Sequence, residues 1–262
     1  MAENNYRVDA VDCAIDVLQA IAQEQGLSMA EIARKVGGSR QRIFRMIKTL
    51  EARDLIERGR DGKSYRIGIG TLLLGAAARG QFDLVQVTEP IMEELGTATQ
   101  ETVQLRIRDG SDSLCIACWE PDRLVRVHAD IGQRGSLFGG SGKVLLAYMT
   151  DDEREGLLSD PLPRFTSNSI TDISTLLSRL DEITSSGFSI SYGEVNEELI
   201  SISAPIFSSD ERLIAVLNLA APASRMPREA AEAAAQLVVD AAERASRLMR
   251  FSQPNGEKSR FS

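Results

Sequence analysis

The chain has 262 residues, 43% of them hydrophobic, with 30 Lys and Arg against 38 Asp and Glu for a net charge of -8. That length supports one large domain or two modest ones around a real core. The longest apolar runs, such as LIAVLNLAAPA at 213–223, fall short of the roughly 20 residues a membrane-spanning helix needs. The N-terminus MAENNYRVDA lacks the apolar centre of a signal peptide, and three cysteines give no disulfide framework, so a soluble chain in the reducing cytoplasm is expected.

The positive charge is concentrated. Residues 34–66 hold eleven Lys/Arg against four acids, a local +7 that leaves about -15 for the rest. In chain order, Val11, Ala14, Ile15, Leu18, Ile21 and Ala22 recur at helical spacing and predict a first helix over Asp9–Gln23, with Gly26 as its terminator. Ser28 three residues before Glu31 forms a capping box, with Leu27 and Ile32 as the hydrophobic staple around a short second helix. Gly37-Gly38 then breaks the chain, and Ser39 caps a third helix reaching about Arg53. On that helix Ile43, Met46, Ile47 and Leu50 share one stripe, Gln41, Arg45 and Lys48 lie opposite, and Arg42 is on the flank. Two short strands, 55–58 and 63–67, follow, joined through Asp61-Gly62 as a hairpin.

This order describes a winged helix-turn-helix. A lone basic helix is most simply a solvated surface. Here a capped short helix, a tight turn, a basic helix and a basic hairpin come in the sequence that lets one helix enter a DNA major groove while the wing meets the backbone. Arg40, Arg42 and Arg45, with Gln41, are the candidates for reading base edges on a double-stranded operator, and Lys48, Arg60 and Lys63 for phosphate contact.

Helical periodicity continues from Ile69 with a weak spot at Gly80, and Pro90 fits the first turn of a following helix. Beyond it, ETVQLRIRDG, DSLCIACWE and RLVRVHADI read as three strands of an antiparallel meander. SGKVLLAYMT and TDISTLLSRLDEITSSG read as helices, 200–207 and 213–219 as strands, and the Ala-rich segment after Pro227 as a long helix. The expected class is α+β, a sheet flanked by helices. The expected domains are a winged helix-turn-helix at 1–68, a linker helix at 69–90, a larger domain at 91–250 and a polar, frayed tail at 251–262.

The segment AIDVLQAIAQEQGLSMAEIARKVGGSRQRIFRMIKTLEARDLIERGRDGKSYRIGIGTLLLG resembles the DNA-binding domain of IclR-family bacterial transcriptional regulators. LFGGSGKVLLAY, RFTSNSITD, GFSISYGEVNEELISISAPIF and LIAVLNLAAPASR stand in the order of that family's GAF-like effector-binding domain, so the likeness spans residues 9–249. It implies a homodimer or homotetramer paired partly through the linker helix, and a small-molecule effector. Family members often carry Ser-Thr where this chain has Gln41-Arg42 and His where it has Phe44, so the operator cannot be borrowed from a relative.

The resemblance places the effector pocket at Gly140, Ser141, Ser191, Leu199, Ser201, Asn218 and Ala220, with Phe138 or Trp119 as an aromatic wall. Ser191 stands where an acid is common, Ser201 where a cysteine is, and Leu137-Phe138 where His-Ala is frequent, implying a neutral, polar pocket for an aromatic or carboxylate effector. GGSGK opens a helix whose free N–H groups favour an anionic oxygen; the alternative is that its glycines only let helix and sheet pack closely.

Other signals are weak. Cys115 and Cys118, three apart on a strand, are expected to face opposite ways, so no metal site is expected. His128 is the sole histidine, with no nucleophile or acid evident near it, so no catalytic residue is assigned. The GSGK stretch fails the phosphate-loop spacing because Val144 follows the lysine, and no cofactor is expected. The paired acids Asp151-Asp152 and Glu197-Glu198 read as solvent-facing. The leading reading is a ligand-responsive transcriptional regulator; the alternative is a sensor or enzyme whose winged helix makes protein contacts.

Overall fold

The computed structural model describes residues 8–79, 83–158 and 161–252. Its contacts divide the chain into two units, 1–81 and 82–262. In the first, α1 (Asp9–Gln23), α2 (Met29–Val36) and α3 (Arg40–Glu51) precede a hairpin of β1 (Ile56–Arg58) and β2 (Tyr65–Ile67), then α4 (Ile69–Arg79). The capping box holds: Ser28 Oγ accepts from Glu31 N, and the Glu31 carboxylate accepts from Ser28 N at 2.8 Å. Leu27 and Ile32, the staple, are both buried. Gly37, at φ 78° and ψ 164°, takes a positive-φ conformation that ends α2, and Ser39 Oγ caps Arg42 N to open α3. Val17, Ile21, Ile32, Ile43, Ile47, Ile56 and Tyr65 form the core beneath.

The strands are shorter than their residue types suggest. Asp61 Oδ1 accepts from the N–H groups of Lys63 and Ser64, at 3.0 and 2.9 Å, and so removes both from the ladder. Pairing is confined to Ile56↔Ile67 through Arg58↔Tyr65.

The second unit runs α5 (Asp83–Thr99), β3 (Thr102–Asp109), β4 (Asp112–Trp119), β5 (Arg134–Ser136), α6 (Gly142–Ala147), α7 (Asp151–Glu155), α8 (Ile173–Ser186), β6 (Ser189–Tyr192), β7 (Leu199–Phe207), β8 (Leu213–Pro222) and α9 (Arg228–Ser252). The strands make one sheet in the order β5-β4-β3-β8-β7-β6, with every pair antiparallel. One side of it is aliphatic: Val103, Leu105, Ile200, Ile202, Leu217 and Leu219 form one core with Ile91 and Met92 of α5 and Ala235, Val238 and Ala242 of α9. Gly96 lets α5 settle on the indole of Trp119, since a Cβ there would lie 2.1 Å from the ring. On the other side α6 and α8 build a second core of Leu137, Val144, Leu146, Leu176, Leu180 and Val216.

Three expectations need correction. The segment RLVRVHADI is not a strand; the third strand is the short β5, further on. Its backbone is bound by side chains instead of a ladder. Thr102 Oγ1 donates to Val127 O and Arg225 Nη1 to Val125 O, while Ala129 N donates to Glu120. Pro90 lies inside α5, which starts seven residues before it, not in a first turn. The proline is exposed on the helix surface, and just upstream Thr88 Oγ1 donates to Leu84 O and Val85 O. The helix expected to fray at 251 extends α9 through Ser252; residues 253–262, like the weak spot at Gly80, lie outside the described residues. No described helix is long and apolar enough to cross a membrane.

Candidate functional site

Along α3, Ile43, Ile47 and Leu50 are buried, which turns Arg40, Gln41, Phe44, Arg45 and Lys48 outward. The side chains of Arg40, Gln41 and Arg45 make no hydrogen bond or ion pair with another described residue. Arg60 and Lys63, exposed on the hairpin, are equally uncommitted among the described residues. Arg42 is engaged elsewhere: its Nη2 donates to Asp9 O at 2.5 Å, so in this structure the flank residue ties α3 to the start of α1.

Lys48 pairs with Glu51 at 2.7 Å, and the second Glu51 oxygen takes Arg58 Nε at 2.9 Å. Arg58 in turn donates to Gly62 O and lies 5.3 Å from the centroid of the Tyr65 ring. This chain clamps the hairpin to the end of α3. The Lys48 hydrogen bond, ahead of Arg58, holds the Glu51 carboxyl below its ordinary pKa. The N–H of Ser64, then its hydroxyl and the N–H of Lys63, bring Asp61 down to about 2. Sequence reasoning passed over Glu51 and Arg58. Their i, i+7 spacing carries no signal until the strand pairs back.

In the second unit the side of the sheet away from α5 and α9 carries two polar rows, buried except at half-buried Cys118. Cross-strand partners share a face, so Ser191, Ser201, Ala220 and Thr102 make one row, and Ser189, Ser203, Asn218, Gln104 and Cys118 the next. Ser203 Oγ donates to Asn218 Oδ1 at 2.9 Å. Ser201 Oγ and Ser189 Oγ are buried and have no hydrogen-bond partner among the described residues. Gly140, at φ 56°, crosses over β7, and a Cβ on it would sit 3.7 Å from Ser201 Oγ. Thus Gly140, Ser191, Ser201, Asn218 and Ala220 converge, with half-buried Leu199 at the margin. Phe138 packs on the core under α6 and α8.

Trp119 is not a wall of this face. It pairs with Val103 and packs on Gly96 at the aliphatic side. The face is not neutral either. Arg106, 5% exposed, donates to Gln104 Oε1, Ser113 Oγ, Ser113 O and Gln133 O, all uncharged acceptors. Burial pulls its pKa below the ordinary arginine value.

The anion site expected at GGSGK is already filled from within. Glu194, in the loop after β6, accepts from Gly140 N at 3.3 Å and pairs with Lys143, whose side chain has 0% exposure. Ser141 precedes a helix of only six residues and makes no side-chain cap bond. The close-packing alternative applies to Gly142, where a Cβ would lie 2.1 Å from Ser136 O.

Residues 76–247 match the family model for the bacterial transcriptional regulator IclR C-terminal domain, and residues 12–67 match that of the MarR family. The chain belongs to the IclR family. The HTH-type transcriptional regulator KipR of Bacillus subtilis (strain 168) is 27% identical over 238 residues, covering 90% of this chain and 95% of KipR. An IclR regulator from Alicyclobacillus acidocaldarius has a similar fold, with a TM-score of 0.85 at 24% identity, over 93% of this chain and 100% of that one. An IclR homologue from Microbacterium hydrocarbonoxydans, solved with 4-hydroxybenzoate, gives a TM-score of 0.82 at 25% identity, over 93% of this chain and 100% of its own. The family and its curated relatives are transcriptional regulators, not enzymes.

Two smaller expectations about this IclR-family chain were wrong in their geometry. A β-bulge opposite Leu105/Arg106 pairs Cys118 with Gln104 and Cys115 with Arg106, so both thiols face the polar side. Burial raises the Cys115 thiol to about 11, and no group of three or more metal-ligating side chains occurs among the described residues. His128 does have acids beside it: Nδ1 lies 2.8 Å from Glu120 and Nε2 3.1 Å from Asp130. Asp151 and Asp152 are exposed at the start of α7. Glu197 is exposed and accepts from Ser167 Oγ at 2.9 Å.

Proposed function

We propose that this regulator is ligand-responsive: residues 1–68 bind an operator, 69–90 connect and help pair two copies in a dimer or tetramer, and 91–250 hold a small effector that alters operator binding. Arg40, Gln41, Arg42 and Arg45 read bases, Arg42 after releasing Asp9 O, while Lys48, Arg60 and Lys63 meet phosphates. The effector lies against Ser191, Ser201, Asn218 and Ala220, beneath Gly140 and Ser141, with Phe138 and Leu199 as apolar margin.

The observation that carries this reading is a buried polar sheet face with two hydroxyls, Ser201 and Ser189, left without partners. Each unpaired buried polar group costs about 1–3 kcal/mol, which hydrogen bonds to a bound effector would offset. A charged Arg106 whose partners among the described residues are all neutral supports an acidic effector. The Microbacterium homologue's 4-hydroxybenzoate supports an aromatic acid. Regulation then requires only that the effector favour one arrangement of the paired DNA-binding domains, with about 1–3 kcal/mol of coupling typical.

The test is fluorescence anisotropy with the DNA upstream of the protein's own gene and a scrambled duplex, at two salt concentrations, with and without 4-hydroxybenzoate and simple benzoates. Preferential, salt-sensitive binding that an aromatic acid shifts is expected. Specific binding that no small acid alters would sink the effector reading.

A further inference from the structure

Phe44 sits on the flank of the exposed face of α3; it is 44% exposed and belongs to neither the core of its unit nor the side chains packed against that core. At 3.6 residues per turn it lies about a quarter turn from the stripe of buried Ile43, Ile47 and Leu50, on the flank opposite Arg42, with Arg40 and Lys48 one turn to either side. A large ring amid cations therefore gives the folded chain little. A second copy of this helix face is disfavoured as its partner, because it would set Arg40 and Arg45 against their own kind.

We infer that Phe44 is a specificity residue that contacts the C5-methyl of a thymine in the operator major groove. The inference rests on the reading that α3 enters that groove. Its cationic flanks complement the DNA backbone, and the thymine methyl is the apolar feature that base edges present there. Arg and Gln beside it would read hydrogen-bonding edges, and the ring would separate thymine from cytosine.

The experiment starts by selecting duplexes from a random pool with the full-length protein and with Phe44→Ala and Phe44→Leu. Each thymine of the wild-type winner is then replaced, one at a time, by deoxyuridine, which removes the methyl and keeps every hydrogen-bonding group. Wild type is expected to lose about fourfold in affinity at one thymine per bound α3, the worth of one buried methyl-sized group. Phe44→Ala should bind thymine and uracil there equally, and Phe44→Leu should keep part of the preference. If Phe44→Ala selects the same sequence with the same uracil sensitivity, or instead changes the oligomeric state while sparing that sensitivity, the inference falls and the DNA-binding reading stands. A wild-type protein that enriches no sequence overturns both.

Discussion

Single side chains of the polar face carry opposed demands. Ser201 Oγ is buried without a partner, so Ser201→Ala should raise stability by about 1 kcal/mol in urea unfolding while weakening effector binding. A variant less stable than wild type would mean the hydroxyl already has a partner. Lys143 is the reverse case. Lys143→Ala leaves the Glu194 carboxylate in a nearly buried position, with Gly140 N–H as its remaining donor, and should cost about 3 kcal/mol. Adding Glu194→Gln should recover much of that loss, as a double-mutant cycle by denaturation would measure. Neither pair member was legible in the chain. Lys143 stands in an apolar run that reads as helix whether or not the lysine is buried, and Glu194 is one of three acids in five residues. Ser191 and Ser201 were singled out through family resemblance, whereas Ser189 and Ser203 were passed over, and Arg106 was missed because a charge on a strand reads as outward-facing.

At the scale of elements, local chemistry was the reliable guide. The bounds of α1, and the caps of α2 and α3, follow from short-range residue types, and the structure bears them out. Where tertiary pairing decides, the same signals misled. RLVRVHADI alternates as a strand should, but Thr102, Glu120 and Arg225 hold its backbone. Asp61 and Asp172 make a pH prediction possible. Hydrogen bonds from Ser64, and from Ser174 and Thr175, hold both near 2 in the folded chain. A carboxyl whose folded pKa is depressed stabilises fully above its unfolded value of about 3.9 and loses that contribution as pH falls through the folded value. The hairpin turn and the start of α8 should therefore survive mild acid and loosen as pH approaches 2. Carboxyl NMR titration checks this, and midpoints near 3.9 would contradict it.

For the whole molecule, charge is divided along the chain. Residues 1–81 hold thirteen Lys/Arg and ten Asp/Glu, and residues 82–262 hold seventeen and twenty-eight. Affinity for DNA should accordingly arise from few cations. Lys63→Ala is expected to reduce the slope of log affinity against log salt by about 1 on every duplex, whereas Arg45→Ala should cost about 1–3 kcal/mol on the operator and little on scrambled DNA. Identical effects of the two would erase the division between phosphate and base contacts. The one extra residue in β4 has a wider meaning for a sheet with two chemically opposite sides. A strand alternates with a fixed rhythm of two, and the bulge shifts that rhythm by half a cycle midway. Without it Leu114 would turn into the polar rows, Ser113 and Cys115 would turn towards α5, and Arg106 would lose the serine that steadies it. By leaving Ile116 out of the pairing, the bulge thus keeps the helix-bearing side dry and the opposite side fit for recognition.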